Sequence, residues 1–304
     1  MKLIFAGTPA NASLALAALA KQHEIVLVIT REDAPVGRKR EITASPVAQK
    51  ATELGLEILK RNRLTSSDIE LIQDSGAERA IVIAYGALVP QALLDALPWW
   101  NLHFSMLPQW RGATPLQHSM LSGGQGAGIT LFELEAGLDT GPVLASQPRE
   151  INISKSCGEL LEEFTHAGVE LILETLDTLP NTLAQTGTAT LAPKLSREQA
   201  KLDFTETAQG LCWKVMALNP EPMAWAMSDG VPLRVMRARS IEADLVQGSP
   251  KTMLPGTISL IDGKVSLRCG GGTSLELQEV QPAGKKVMPA TDWYRGLNKE
   301  IRLD

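Results

Sequence analysis

Leu3-Ile4-Phe5-Ala6-Gly7-Thr8-Pro9 runs directly into a helical pattern over residues 10–21 and then into Ile25-Val26-Leu27-Val28-Ile29. A short apolar run, a glycine turn, a helix and a second apolar run make up the repeating unit of a parallel sheet, since parallel neighbours need a crossover and a helix supplies it. The pattern continues. Residues 80–84 and 101–104 read as further strands, and residues 45–54, 66–75 and 90–96 as further helices. Residues 128–134 and 142–146 read as a later strand pair. The first half is thus expected to be α/β, a parallel sheet with helices on both faces. Ligands in such sheets bind beyond the carboxyl ends of the strands.

Residues 157–179 read as a long amphipathic helix, residues 181–191 as a Thr- and Gly-rich exit, and residues 196–206 as a polar linker. A helix near 207–218 then leads into short alternating runs at 224–228, 233–239, 256–261, 264–269 and 274–281, with Gly and Asp between them. Many short, evenly spaced strands predict a small barrel. The expected division is therefore a domain over 1–190, a linker over 191–206 and a second domain over 207–304. A chain of 304 residues carries a prior of two domains as well.

No apolar run reaches the ~20 residues of a membrane helix. The N-terminus enters its strand without a targeting leader, so a cytoplasmic protein is expected. Cys157, Cys212 and Cys269 lie far apart, without zinc or disulfide spacing, and read as free thiols. The net charge of −5 disfavours a general nucleic-acid binder. Its distribution is uneven: residues 208–304 carry 12 basic against 10 acidic side chains, net +2, and the remainder is net −7. A module that touches phosphate would be the more basic part.

Asn101-Leu102-His103-Phe104-Ser105 places an amide, an imidazole and a hydroxyl two residues apart, on one face of a strand. Gly137-Leu138-Asp139-Thr140-Gly141 then brings a carboxylate on a glycine-flanked loop. An amide can donate to a developing oxyanion, an imidazole can carry a proton, and a carboxylate can orient that imidazole. Singly, each has a plain structural explanation; an Asp between glycines is a good turn residue. His23, His118 and His166 read as solvated, capping or structural. The turn at Gly7 can cradle an anion but lacks a dinucleotide fingerprint.

With the intervening Leu107-Pro108, Arg111-Gly112 and Pro115, these residues resemble the signature of the formyltransferases that use 10-formyltetrahydrofolate, and within them the branch that formylates methionyl-tRNA. The resemblance implies a Rossmann-like formyltransferase domain and a C-terminal OB-like β-barrel. It implies catalytic roles for Asn101, His103 and Asp139. It puts the pterin of 10-formyltetrahydrofolate, the co-substrate, at Ala84, Tyr85 and Gly86 with Ser105, Leu107 and Pro108. It requires no metal. The acceptor it implies is initiator methionyl-tRNA, with residues 31–40 as a loop wedged into the acceptor end. Arg38 takes the basic position of that loop, beside Lys39 and Arg40, and Lys285 and Lys286 are candidate phosphate contacts. No membrane partner is implied, and a monomer is expected.

The tRNA branch is favoured because the likeness runs on through Leu218-Asn219-Pro220-Glu221-Pro222-Met223-Ala224-Trp225 and residues 255–258 and 277–288. The glycinamide ribonucleotide branch normally ends after the first domain. Met216 and Glu221 depart from the family pattern, where an Arg and an aromatic are common. An amino-sugar nucleotide formyltransferase with an OB-like tail is the nearest enzymatic alternative. A silent RNA-binding scaffold is disfavoured by the intact Asn101, His103 and Asp139. A dinucleotide-dependent oxidoreductase ranks last, since it would rest on fold alone.

Overall fold

The computed structural model describes residues 1–37, 40–241, 254–297 and 301–304. In chain order the first elements are β1 (Lys2–Gly7), α1 (Ala10–Leu19), β2 (Glu24–Thr30), a small hairpin of β3 (Ala34–Val36) and β4 (Glu41–Thr43), α2 (Pro46–Glu53), β5 (Ile58–Lys60) and α3 (Ile69–Asp74). They are followed by β6 (Arg79–Ile83), α4 (Gln91–Leu94), β7 (Trp99–His103), α5 (Pro115–Leu121), β8 (Gly128–Glu133), β9 (Val143–Pro148) and α6 (Cys157–Thr178). The rest comprises α7 (Ala208–Ala217), β10 (Trp225–Ser228), β11 (Val231–Ile241), β12 (Ile258–Ile261), β13 (Lys264–Arg268), β14 (Ser274–Pro282), β15 (Met288–Pro289) and α8 (Ala290–Arg295). Two compact units result. One comprises residues 1–115, 126–150 and 161–193, the other 116–125, 151–160 and 194–304.

The first unit holds a seven-stranded sheet in the order β5-β2-β1-β6-β7-β8-β9. The five strands from β5 to β7 are parallel, while β8 and β9 run antiparallel. The expectation of a parallel sheet thus holds for the pairings from β5 to β7 and is corrected for the last two, in which β8 runs against both neighbours; the short β8–β9 connection leaves no room for a crossover. Strand order reverses between β1 and β6, which puts the switch point beside Gly7 and Ile83. Leu3, Ile4, Phe5 and Ala6 are all fully buried, as a central strand covered on both faces requires. Ser45 caps α2 by accepting the Ala48 N–H at 3.0 Å, with Pro46 in the first turn, where its missing N–H costs nothing. The strand β5 and the β3–β4 hairpin were not expected.

The second unit holds an antiparallel sheet in the order β10-β11-β14-β13-β12, with β15 added on β14. Its two edges meet through one segment: Ser228 at the end of β10 bridges Leu303, and Thr257 before β12 bridges Arg302. The sheet is thereby closed into a small barrel, filled by Leu233, Val235, Val265, Leu267, Leu275 and Leu277, all buried. Gly256 permits this closure, because a Cβ there would fall 2.3 Å from the Leu303 carbonyl oxygen. Thr207 caps α7, which buries Leu211, Cys212, Val215 and Met216. Met216 is therefore a packing residue in this chain. Cys157, Cys212 and Cys269 are free and buried, and burial pushes the Cys157 and Cys269 thiols up to about 12.

Candidate active site

Strand β7 lies between β6 and β8, with Asn101 opposite Val82 and Phe132. Side chains alternate along it, so Asn101 and His103 share a face and Leu102 takes the other. The strand ends at His103, so the alternation does not extend to Ser105. That residue is fully buried and donates its hydroxyl to the Gln109 carbonyl at 2.6 Å, while its own carbonyl accepts from Thr130 at 2.7 Å. Asn101 is half-buried, and its carboxamide has no hydrogen-bond partner among the described residues.

His103 is buried edge-on to Phe132, with ring centroids 6.2 Å apart. Its Nε2 lies 2.9 Å from the Trp110 carbonyl oxygen. A carbonyl only accepts, so Nε2 carries the proton. Nδ1 then faces Asp139 Oδ2 at 3.8 Å, inside ion-pair range but too long for a hydrogen bond. Burial holds the imidazole pKa below its ordinary value of 6.5, opposed by the Asp139 charge and the Trp110 carbonyl. His103 is thus neutral near pH 7, with a carboxylate placed to receive it if it gains a proton.

Asp139 sits at φ 50 on the loop between β8 and β9 and accepts the Gly112 N–H at 2.8 Å. Gly112 is at φ 126, and a Cβ there would lie 2.7 Å from the Ala192 carbonyl oxygen, so only glycine fits. Gly141 is as constrained, its Cβ falling 1.8 Å from the Glu133 carbonyl oxygen. Arg111 gives its guanidinium to Gln185 at 2.7 and 3.2 Å. Gln185 in turn donates to the carbonyls of Asp139 and Gly141 at 2.9 and 2.8 Å. Gln185 and Thr190 were missed by sequence reasoning, and no local pattern marks them.

At the end of β6, Ala84 is exposed at φ 49, and Gly86 is at φ 80. Tyr85 points inward; its hydroxyl donates to the Arg61 carbonyl at 2.8 Å, and burial raises its pKa to about 12. Its carbonyl accepts from Thr8 and that of Gly86 from Arg31, so the loop is anchored through its oxygens. Among the described residues, no acceptor meets the N–H groups of Gly86, Ala87, Leu88 or Val89. The loop thus offers free N–H donors beside the exposed Leu88. Leu107 is half-buried and Pro108 buried. Beside this loop lies a cavity of about 540 Å³ lined by Thr8, Arg31, Val36, Ser45, Pro46 and Asn62 among others.

Arg38 and Lys39 lie outside the described residues, while Arg40 is exposed at φ 52 beside β4. Lys285 and Lys286 are exposed in the turn between β14 and β15. No group of three or more side chains suited to a metal occurs among the described residues.

Residues 1–176 match the formyl transferase family, and residues 194–298 match the formyl transferase C-terminal domain. The methionyl-tRNA formyltransferase of Leifsonia xyli subsp. xyli is 43% identical over 310 residues, covering 100% of either chain. Among solved structures, HypX from Aquifex aeolicus in complex with tetrahydrofolic acid aligns with a TM-score of 0.65 at 17% identity, over 96% of this chain and 46% of that one. A methionyl-tRNA formyltransferase from Clostridium thermocellum aligns with a TM-score of 0.59 at 16% identity, over 79% of this chain and 93% of that one. At such identities the two structures speak to fold alone. With both halves matched and a full-length relative at 43% identity, the chain belongs to the formyl transferase family, in its methionyl-tRNA branch.

Proposed function

We propose that this protein transfers the formyl group of 10-formyltetrahydrofolate to the α-amine of methionine esterified to initiator tRNA. The observation that carries the reading is the convergence of Asn101, His103 and Asp139 at the end of β7, in a chain of this branch. Asn101 offers an unengaged amide donor to the formyl oxygen as it gains negative charge; such a donor is typically worth ~10²–10³ in rate. The neutral His103 takes the proton that the amine sheds on attacking the formyl carbon. Asp139 faces the Nδ1 that receives it and stabilises the imidazolium. His103 then returns that proton toward the departing folate nitrogen, and the cycle closes without net proton uptake.

The loop at Ala84, Tyr85 and Gly86 holds the pterin through its free N–H groups. Leu107 and Pro108 form its wall, and Ser105 acts from behind by fixing their turn. Arg38, Lys39 and Arg40 meet the acceptor end of the tRNA, and Lys285 and Lys286 meet its phosphates. In this reading residues 1–190 supply the chemistry, 191–206 link, and 207–304 hold the nucleic acid. The protein works as a cytoplasmic monomer.

The test is a formylation assay with 10-formyltetrahydrofolate that offers methionyl-initiator-tRNA, methionyl-elongator-tRNA and amino-sugar nucleotides in parallel. Product on the initiator tRNA is expected. Product on a sugar nucleotide alone would keep the site and overturn the acceptor.

A further inference from the structure

Residues 181–191 form an exposed stretch in which Gln185 and Thr190 alone are partly buried. Each reaches one side of His103. Thr190 accepts the Trp110 N–H on its hydroxyl at 2.8 Å, and its carbonyl accepts the Arg111 N–H at 2.9 Å. Trp110 is the residue whose carbonyl accepts the Nε2–H hydrogen bond. Gln185 donates one amide hydrogen to the Asp139 carbonyl and the other to that of Gly141, and its oxygen accepts twice from Arg111. The side chain is saturated, so it has no capacity left for a ligand.

Trp110 and Asp139 both need this support. They sit at φ 62 and φ 50 on irregular loops, conformations that an L-residue keeps only when its surroundings impose them. Trp110 donates to Thr190 and Asp139 accepts from Gln185, and in the same stretch Ala192 donates its N–H to the Arg111 carbonyl at 2.7 Å.

We propose that Gln185 and residues 190–192 are a positioning brace for the imidazole, with Gln185, backed by Arg111, setting the Asp139 side and Thr190 setting the Trp110 side. The proposal rests on the roles given above to His103 and Asp139. Glutamate at 185 would keep the shape and lose both donors, turning two attractions to carbonyls into repulsions. Valine at 190 would keep the shape and lose the acceptor for Trp110.

The experiment compares the full-length protein with Gln185→Glu, Gln185→Ala and Thr190→Val, using Thr188→Val, exposed on the same stretch, as the control. Two quantities are read: hydrogen exchange at the Gly112 amide, which Asp139 holds, and steady-state formylation. In both Gln185 variants Gly112 exchange is expected to quicken about tenfold, while amides of β1 and β2 keep their protection. All three variants are expected to lose kcat by about tenfold to ~10²-fold, the cost of a misplacement near 1 Å, with KM for methionyl-tRNA within about twofold. The control stays at wild type. Wild-type kcat and wild-type Gly112 protection in both Gln185 variants would overturn the brace. So would losses that follow a lowered melting temperature with no local change at Gly112. If the unaltered protein formylates no methionyl-tRNA, the functional reading fails, and the exchange data still decide whether Gln185 holds Asp139.

Discussion

His103 is pulled in opposite directions by burial and by charge, and burial prevails. Its folded pKa lies below 6.5, so on acidification the unfolded chain takes up the proton first, and stability is lost as pH falls from the unfolded value towards the folded one. His103→Gln removes the titration while keeping the volume. The urea midpoint of the variant should therefore drop less than that of the wild type between about pH 7.5 and about pH 5.5. Equal drops would mean that the imidazole is as easily charged inside as outside. The same balance suits catalysis: a ring kept neutral by burial is free to accept a proton, and Asp139 keeps that acceptance from being prohibitive. A surface histidine beside the same Asp would instead be protonated over more of the acidic range.

At the level of the element, β7 is held from behind as well as in front. Gly168, within α6, stands where a Cβ would come 2.3 Å from Leu102 Cδ2, on the face of β7 opposite His103. Gly→Ala in a helix interior ordinarily gains ~1 kcal/mol. Here Gly168→Ala should instead cost ~1–3 kcal/mol by overpacking, read by chemical denaturation. A gain would show that α6 can retreat from the strand. The alternation of β7, the first two strands and the helix between them were legible in the sequence because each signal is local and periodic. The hairpin of β3 and β4 and the strand β5 were not, since three residues are too few to show a period. The antiparallel pairing of β9 with β8 follows from their short connection, which a reading of apolar runs does not weigh. Asn101, His103 and Asp139 stood out through their spacing. Gln185 did not, because its partner Asp139 is 46 positions away and a lone amide in a polar stretch has no pattern. Ser105 looked like a third member of the face only while the strand was taken to continue past His103.

For the whole molecule, the question is how a chain of net charge −5 recognises a polyanion. In the proposed reading the contacts are made by Arg38, Lys39 and Arg40 in one part of the sequence and Lys285 and Lys286 in another. Replacing Lys285 and Lys286 together by Ala should raise KM for tRNA and leave that for the folate donor unchanged. It should also reduce the slope of log affinity against log salt by roughly 1.5, at ~0.7–0.9 per phosphate contact. An unchanged slope would remove both lysines from the nucleic-acid surface. Among the described residues no helix is long and apolar enough to cross a membrane. The central claim is that Asp139 serves the chemistry and not the binding of tRNA. It is tested most directly by single-turnover formylation of methionyl-initiator-tRNA by Asp139→Ala, with the tRNA Kd measured on the same preparation. The account predicts a rate reduced by ~10³-fold or more at an unchanged Kd, within the ~10²–10⁴ range of a general acid–base contribution. A rate near that of the wild type, or a loss explained wholly by weaker tRNA binding, would contradict it.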